Sequence, residues 1–202
     1  MTAVSGIILA GGESKRLGTD KALLDFGGRT LLELTVERLC DVTADIVIAC
    51  GQGPRPGWPN VDAQLVLDRS EGRGPLAGLE AGLRAITNEA AVVVACDMPF
   101  LNPALLSHLA GRLETHAAVV PMVDGRYHAL HAVYSQRCLQ SVEDLLLRGG
   151  SMRDLLAAVD TGVVSETEVR VVDPEGLSCF NLNVPEDLER ARAIWVRERL
   201  GA

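Results

Sequence analysis

The sequence predicts an α/β protein, on three observations. Short apolar, β-branched runs recur at Val4 to Leu9, Asp45 to Cys50 and Ala90 to Cys96, each the length of a buried strand. Segments of helical spacing lie between them, and strands that alternate with helices build parallel βαβ units. The 202 residues are 48% hydrophobic and no linker-like stretch interrupts them, which is enough to bury one full core. The expectation is a single domain over residues 1–202, Rossmann-like, with a mostly parallel open sheet and helices on both faces.

Each element has its own signal. Behind Thr30, the residues Leu31, Leu32, Val36 and Leu39 keep a helical period that closes near Asp41. The strand at Asp45 to Cys50 runs into a loop rich in Gly and Pro, Gly51 to Pro59, and Gln64 to Asp68 is a short strand ending on an acid. Pro75 suits the first turn of a helix. Along that helix Gly78, Ala81, Gly82 and Ala85 form a small-residue stripe, suited either to tight packing on the sheet or to close approach of a ligand. Ala90 to Cys96 is the most continuous strand. Asn102 and Pro103 then supply the N-cap and first position of a helix to Leu113. Ala117 to Met122 and Ala129 to Tyr134 read as strands around an Asp124-Gly125 turn. A helix over Gln136 to Arg148 breaks at Gly149-Gly150, and Ser151 with Asp154 starts the next as a capping box. The last helix, from Pro185 to about Leu200, is rich in Glu and Arg and carries an apolar stripe at Leu188, Ala191, Ile194 and Trp195.

The most informative stretch follows the first strand: Leu9-Ala10-Gly11-Gly12-Glu13-Ser14-Lys15-Arg16-Leu17-Gly18-Thr19-Asp20-Lys21-Ala22-Leu23-Leu24. Gly11 and Gly12 lack a Cβ, so backbone N–H groups there can approach a phosphate or a base edge. Arg16 and Lys21 add two cations to one loop, as a triphosphate requires. It is neither a P-loop, since Ala22 follows Lys21, nor a dinucleotide fingerprint, since Gly11 and Gly12 are adjacent.

In parallel sheets ligands bind outside the carboxyl ends of the strands, which is where Asp68 and Asp97 fall. Asp68 is placed either to accept from guanine N1–H and N2–H or a ribose hydroxyl, or to cap a helix. Asp97 is placed either to hold Mg²⁺ carried on phosphates, an ion that takes only one or two protein carboxylates, or to close a turn. Asn181 and Asn183 either orient a phosphate, a metal-bound water or an acceptor, or satisfy the turn they sit in. His128 and His131 lack a third ligand at a plausible spacing and read as ordinary strand or loop histidines.

A net charge of −8 and 3% aromatic residues supply neither a phosphate track nor a stacking platform, which argues against a nucleic-acid partner. The apolar runs are too short to span a bilayer, and the N-terminus lacks the features of a signal peptide, so the expected location is the cytoplasm, with no membrane contact. Five scattered cysteines without a Cys-x-x-Cys pair read as reduced and mostly buried.

Four segments carry a family resemblance. Leu9 to Leu24 resembles the molybdenum cofactor nucleotidyltransferase signature Leu-Ala-Gly-Gly-x-Ser-x-Arg-Met-Gly-x-Asp-Lys-x-Leu-Leu, with Leu17 for Met. Gly74 to Gly78 reads Gly-Pro-Leu-Ala-Gly, and Cys96 to Phe100 reads Cys-Asp-Met-Pro-Phe, similar to that family's metal-site motif. Asn181 to Leu188 resembles Asn-x-Asn-Thr-Pro-Glu-Asp-Leu, with Val184 for Thr. This substitution removes an N-cap hydroxyl and leads one to expect a shortened or frayed helix start.

The resemblance is to the molybdenum cofactor guanylyltransferases and implies a fold of the nucleotide-diphospho-sugar transferase type. It implies transfer of GMP from GTP to molybdenum-molybdopterin, with release of pyrophosphate and Mg²⁺ as cofactor. Carried onto this chain, Leu9, Ala10, Gly11, Gly12, Lys21, Asp68 and Asp97 bind GTP, Arg16, Lys21 and Asp97 are catalytic, and Asp97 is the metal ligand. Gly74, Gly78, Asn181 and Asn183 lie beside the substrates, and molybdoenzymes or their delivery chaperones are the implied partners. Leu-Ala-Gly-Gly resembles the guanylyl rather than the cytidylyl branch, with Gly11 expected to leave space for the exocyclic group of a purine. Two alternatives stay open: a related nucleotidyltransferase using CTP or a sugar-phosphate acceptor, and a non-catalytic nucleotide-binding module.

Overall fold

The computed structural model describes residues 3–12 and 20–201, with side chains described as far as 197. Its centre is an eight-stranded sheet. The strands are β1 (Ser5–Leu9), β2 (Ile46–Ala49), β3 (Gln64–Val66), β4 (Ala90–Ala95), β5 (Ala118–Val123), β6 (Arg126–Tyr127), β7 (His131–Ser135) and β8 (Thr161–Val164). Their order is β3-β2-β1-β4-β7-β5-β6, with β8 paired to β5. β1 pairs parallel with β2 and β4, β2 with β3, and β5 with β8. β7 runs antiparallel between β4 and β5, so the sheet is mixed and mostly parallel, as expected.

The helices are α1 (Leu31–Cys40), α2 (Pro75–Ala85), α3 (Pro103–Gly111), α4 (Leu139–Arg148), α5 (Met152–Ala158), α6 (Glu166–Val172) and α7 (Pro185–Gly201). They cover both faces of the sheet. β4 is buried along its whole length, and alternate side chains feed two cores. Ala90, Val92 and Val94 pack with Leu32 and Val36 of α1 and Leu105 and Leu109 of α3. Ala91 and Val93 pack on the other face with Leu79 and Leu83 of α2, Val142 of α4 and Leu155 of α5. Each fully buried valine contributes about 1.5–3 kcal/mol, so this central strand is a well-anchored platform on which to end a functional acid.

A third cluster decides where the loops at the carboxyl edge sit. Phe26 stacks edge-on against Phe100 and Trp195, with ring centroids 5.8 and 5.1 Å apart, and Leu31, Leu182 and Ala191 complete the group. Phe26 follows the turn at Lys21, Phe100 follows Asp97, and Leu182 lies between Asn181 and Asn183. The predicted stripe on α7, Leu188, Ala191, Ile194 and Trp195, is the surface that gathers them.

The local start signals act as expected. Thr30 Oγ1 accepts from Glu33 N while the Glu33 carboxylate accepts from Thr30 N, and Ser151 with Asp154 repeats the arrangement at α5. Asn102 Oδ1 accepts from Ala104 N and Leu105 N. The Asp124-Gly125 turn has both residues at positive φ, 51° and 68°, the geometry a tight hairpin needs. Three details differ from the sequence reading. The Asp124-Gly125 turn leads straight into β6, which pairs back on Met122 and Val123 within the stretch read as a turn, and the longer strand β7 begins at His131 rather than Ala129, after a turn in which His131 N is bonded to the His128 carbonyl. Gln136–Cys138 forms a separate 3-10 turn before α4, with Ser135 Oγ accepting from Arg137 N. Despite Val184, α7 begins at Pro185: Asp187 Oδ2 accepts from Asn183 N at 2.8 Å and Val184 N at 3.0 Å, and Asp187 N, which an N-cap hydroxyl would have bonded, meets the Val184 carbonyl at 3.0 Å. Among the described residues no helix is long and apolar enough to cross a membrane.

Candidate functional site

The strand order reverses between β1, which leads outward to β2 and β3, and β4, which leads the other way. A cleft opens at such a switch point beyond the carboxyl ends, and here it measures about 560 Å³. Its walls contain Leu9, Ala10, Gly11 and Gly12 after β1, Lys21, Asp68 after β3, Gly74 and Gly78 of α2, and Asp97 after β4. Arg16 lies outside the described residues. Asn181 and Asn183 are not part of the wall, but the Leu182 N–H bonded to the Asp97 carbonyl at 2.9 Å brings that turn to its rim.

A close ion pair stands at the end of β4. Lys21 Nζ donates to Asp97 Oδ2 at 2.6 Å and to Asn183 Oδ1 at 3.2 Å. Lys21 is steered there by its neighbour: Asp20 caps the Lys21–Leu23 turn by accepting from Ala22 N. Both asparagine calls therefore divide. Asn183 reaches the lysine, whereas Asn181 Oδ1 is buried with no hydrogen-bond partner among the described residues.

Asp68 is the second acid. Its backbone N–H is bonded to the Gly51 carbonyl at 2.8 Å, and its Oδ1 is buried with no partner among the described residues. Burial pushes its pKa up, the charge of nearby Glu80 adds to this, and a hydrogen bond from the Gly51 backbone opposes it. A carboxylate kept this short of donors is prepared to accept them from a ligand.

The glycines separate into different roles. A Cβ on Gly82 would stand 2.6 Å from Ile7 Cγ2, so this part of the stripe is tight helix-on-sheet packing. A Cβ on Gly78 would meet Leu9, Ala49 and, at 3.7 Å, Asp68 Oδ1, so Gly78 serves packing and also floors the cleft. Gly74 has φ 64° and lets the chain enter α2 beside the cleft without a side chain. The reading of Gly11 as room for a purine needs correction. Its Cβ position points at Gly51, 2.7 Å from the amide nitrogen and 2.8 Å from Cα, so position 11 is small because two backbone segments touch.

Two groups that could compete for acid or base work, Cys96 and His131, are held out of it. Cys96 lines the cleft, but burial, with Asp97 and Asp20 nearby, pushes its thiol up to about 12. His131 is fully buried, pushed down to about 3 by desolvation, with Nε2 against Ser178 Oγ at 3.2 Å. No cluster of three His, Cys, Asp or Glu suited to a metal exists among the described residues. The oxygens of Asp97 and Asn183, both within reach of one ammonium, are hard donors of the kind a Mg²⁺-sized ion shares with phosphates and waters.

Sequence reasoning passed over Arg55 and Trp58 in the Gly- and Pro-rich loop, and gave Asp20 no role although it stands in the signature. Arg55 Nη1 pairs with Asp20 Oδ1 at 2.8 Å and Trp58 Nε1 donates to Asp20 Oδ2 at 2.6 Å. A lone arginine among glycines and prolines has no periodicity that would single it out.

Residues 6–163 match the MobA-like NTP transferase domain. The chain is similar to the molybdenum cofactor guanylyltransferase of Desulfosudis oleivorans, 39% identical with 96% of both chains covered. It is also similar to the probable molybdenum cofactor guanylyltransferase of Natranaerobius thermophilus, 33% identical with 94% of this chain and 95% of the relative covered. Among solved structures, molybdopterin-guanine dinucleotide biosynthesis protein A from Archaeoglobus fulgidus superposes with a TM-score of 0.82 at 27% identity, over 96% of this chain and 100% of the other. The 2-C-methyl-D-erythritol 4-phosphate cytidylyltransferase of Thermus thermophilus shares the fold, with a TM-score of 0.70 at 20% identity. With a matching domain spanning most of the sheet and such relatives along nearly its whole length, the chain belongs to the MobA-like NTP transferase family, the nucleotidyltransferases that include the molybdenum cofactor guanylyltransferases.

Proposed function

We propose that this chain, as one nucleotidyltransferase domain over residues 1–202, transfers GMP from GTP to molybdenum-molybdopterin and releases pyrophosphate. The observation that carries the reading is the Lys21–Asp97 pair, held at 2.6 Å at the rim of a cleft walled by Gly11 and Gly12. Nine residues assigned to the nucleotide or its surroundings from sequence, Leu9, Ala10, Gly11, Gly12, Lys21, Asp68, Gly74, Gly78 and Asp97, line that one cleft.

The chemistry follows from charge. The acceptor phosphate is already anionic, so no side chain has to remove a proton before in-line attack on the α-phosphorus. Lys21, with Arg16, offsets negative charge on the α-phosphate and the departing pyrophosphate. Asp97 and the Asn183 amide oxygen would hold Mg²⁺, which supplies further neutralisation of the phosphates when bound. Asp68 would receive the guanine N1–H and N2–H, which supports base choice resting on this acid and on the floor at Gly78 rather than on space at Gly11. Delivery to molybdoenzymes or their chaperones, in the cytoplasm, belongs to the same reading.

Pyrophosphate release measured with GTP, CTP, ATP and UTP, each with Mg²⁺ and molybdenum-loaded molybdopterin, tests it. The expected result is release with GTP, reduced about 100-fold or more in Asp97→Asn. Preference for CTP would transfer the chain to the cytidylyl branch, and no release with any nucleotide would overturn the reaction.

A further inference from the structure

Arg55 joins two elements that the cleft depends on. Its Nη2 donates to the Gly12 carbonyl at 3.0 Å and lies 3.5 Å from the Gly11 carbonyl, while Nη1 pairs with Asp20 Oδ1 at 2.8 Å. Gly11-Gly12 and Asp20 are the two ends of the segment that leads from β1 to Lys21, so one guanidinium ties both ends together. Asp20 is fixed further by Trp58 Nε1 and Ala22 N, and the next residue, Lys21, meets Asp97. A planar guanidinium with forked donors can satisfy two carbonyls and a carboxylate at once; an ammonium cannot match that geometry.

Arg55 does this from behind. It lines a separate cleft of about 520 Å³ with Trp58 and Asn60, whereas Gly11, Gly12, Asp20 and Lys21 line the nucleotide-sized one. The described peptides are all trans. In a trans peptide the N–H lies anti to the preceding carbonyl, so drawing the Gly11 carbonyl toward Arg55 turns the Gly12 N–H away from it.

We propose that Arg55 is a positioning residue for nucleotide binding: it closes the base of the glycine loop onto Asp20 and keeps the loop amide turned toward the phosphates. The inference rests on the nucleotide reading of the cleft. Because Arg55 stands outside that cleft and Lys21 keeps its own contacts with Asp97 and Asn183, its loss costs affinity and leaves turnover of bound substrate nearly intact.

The test is calorimetric titration of Mg-GTP into the wild type, Arg55→Ala, Arg55→Lys and a control, Arg197→Ala, which removes an exposed ion pair with Glu175, together with steady-state kinetics. Arg55→Ala is expected to raise Kd and KM for GTP about tenfold, the scale of a lost charged hydrogen bond, with kcat within about twofold. Arg55→Lys recovers part of the affinity, and the control behaves as wild type. Arg55→Ala binding GTP as tightly as wild type, or losing kcat at constant KM, overturns the proposal. Should Arg55→Ala not fold, an Arg55→Lys protein with wild-type Kd and KM for GTP overturns it equally. A wild type that binds no nucleotide defeats the underlying reading and this role with it, and is told apart because it appears before any substitution is made.

Discussion

Adding one methyl group at Gly11 distinguishes two reasons for a glycine there. The Cβ of Gly11→Ala would stand 2.7 Å from Gly51 N and 2.8 Å from Gly51 Cα. An ordinary contact of about 3.5 Å requires the two strands' loops to separate by roughly 0.8 Å. Gly51 cannot yield alone. It sits at φ 67° and its carbonyl accepts from Asp68 N at 2.8 Å, so moving it drags the acid with it. Overpacking of this kind costs about 1–3 kcal/mol, which lowers the Tm of a domain of this size by roughly 2–12 °C. The assay is thermal and urea unfolding of the ligand-free protein, followed by GTP and CTP affinities. The expected outcome is lower stability without any nucleotide present, and weaker binding of both nucleotides. Unchanged stability accompanied by a switch from GTP to CTP would refute the backbone-contact argument and restore the reading of Gly11 as space for a purine.

Two further outcomes follow from the same geometry. Asp68 has its pKa raised in the folded state by burial, so the folded protein holds that proton more tightly than the unfolded chain; stability is penalised fully above the folded pKa, and the penalty disappears as pH falls toward the unfolded value. Asp68→Asn is therefore expected to unfold at higher urea concentration than wild type at neutral pH, to converge with it in acid, and to bind GTP more weakly; a variant less stable at neutral pH would contradict this. Asp187→Ala removes the acceptor for Asn183 N and Val184 N and is expected to cost about 1 kcal/mol. Because Asn183 Oδ1 meets Lys21, KM should rise as well, and loss of stability with unchanged KM would uncouple the cap from the site.

The readable parts of the site are those created by short-range chemistry. Asp68 and Asp97 were visible because each ends an apolar strand, and strand ends in a parallel sheet face one edge. Gly11, Gly12 and Lys21 were visible as a dense local pattern. The start signals of α1, α3 and α5 were visible because a capping residue bonds within three or four positions of itself. By contrast β8, with only Val164 buried, and the short α6 gave little periodic signal. Their places are fixed by pairing to β5 and by packing against α3, contacts made between distant parts of the chain.

By itself the sequence determined the fold class, the glycine loop, the acids that end β3 and β4, and the apolar stripe of α7, since each depends on residue type and spacing along the chain. The tertiary structure alone decided that β7 inserts between β4 and β5, that Gly11 is small on account of Gly51, and that the Asp187 carboxylate holds the two amides ahead of α7. It also decided that Arg55 reaches back 43 residues to hold Gly12, and holds Asp20 as well. The physical reason is common to these cases. Propensity and capping act between neighbours, whereas backbone contact, ion pairing and cluster packing act between whatever segments the sheet order brings side by side.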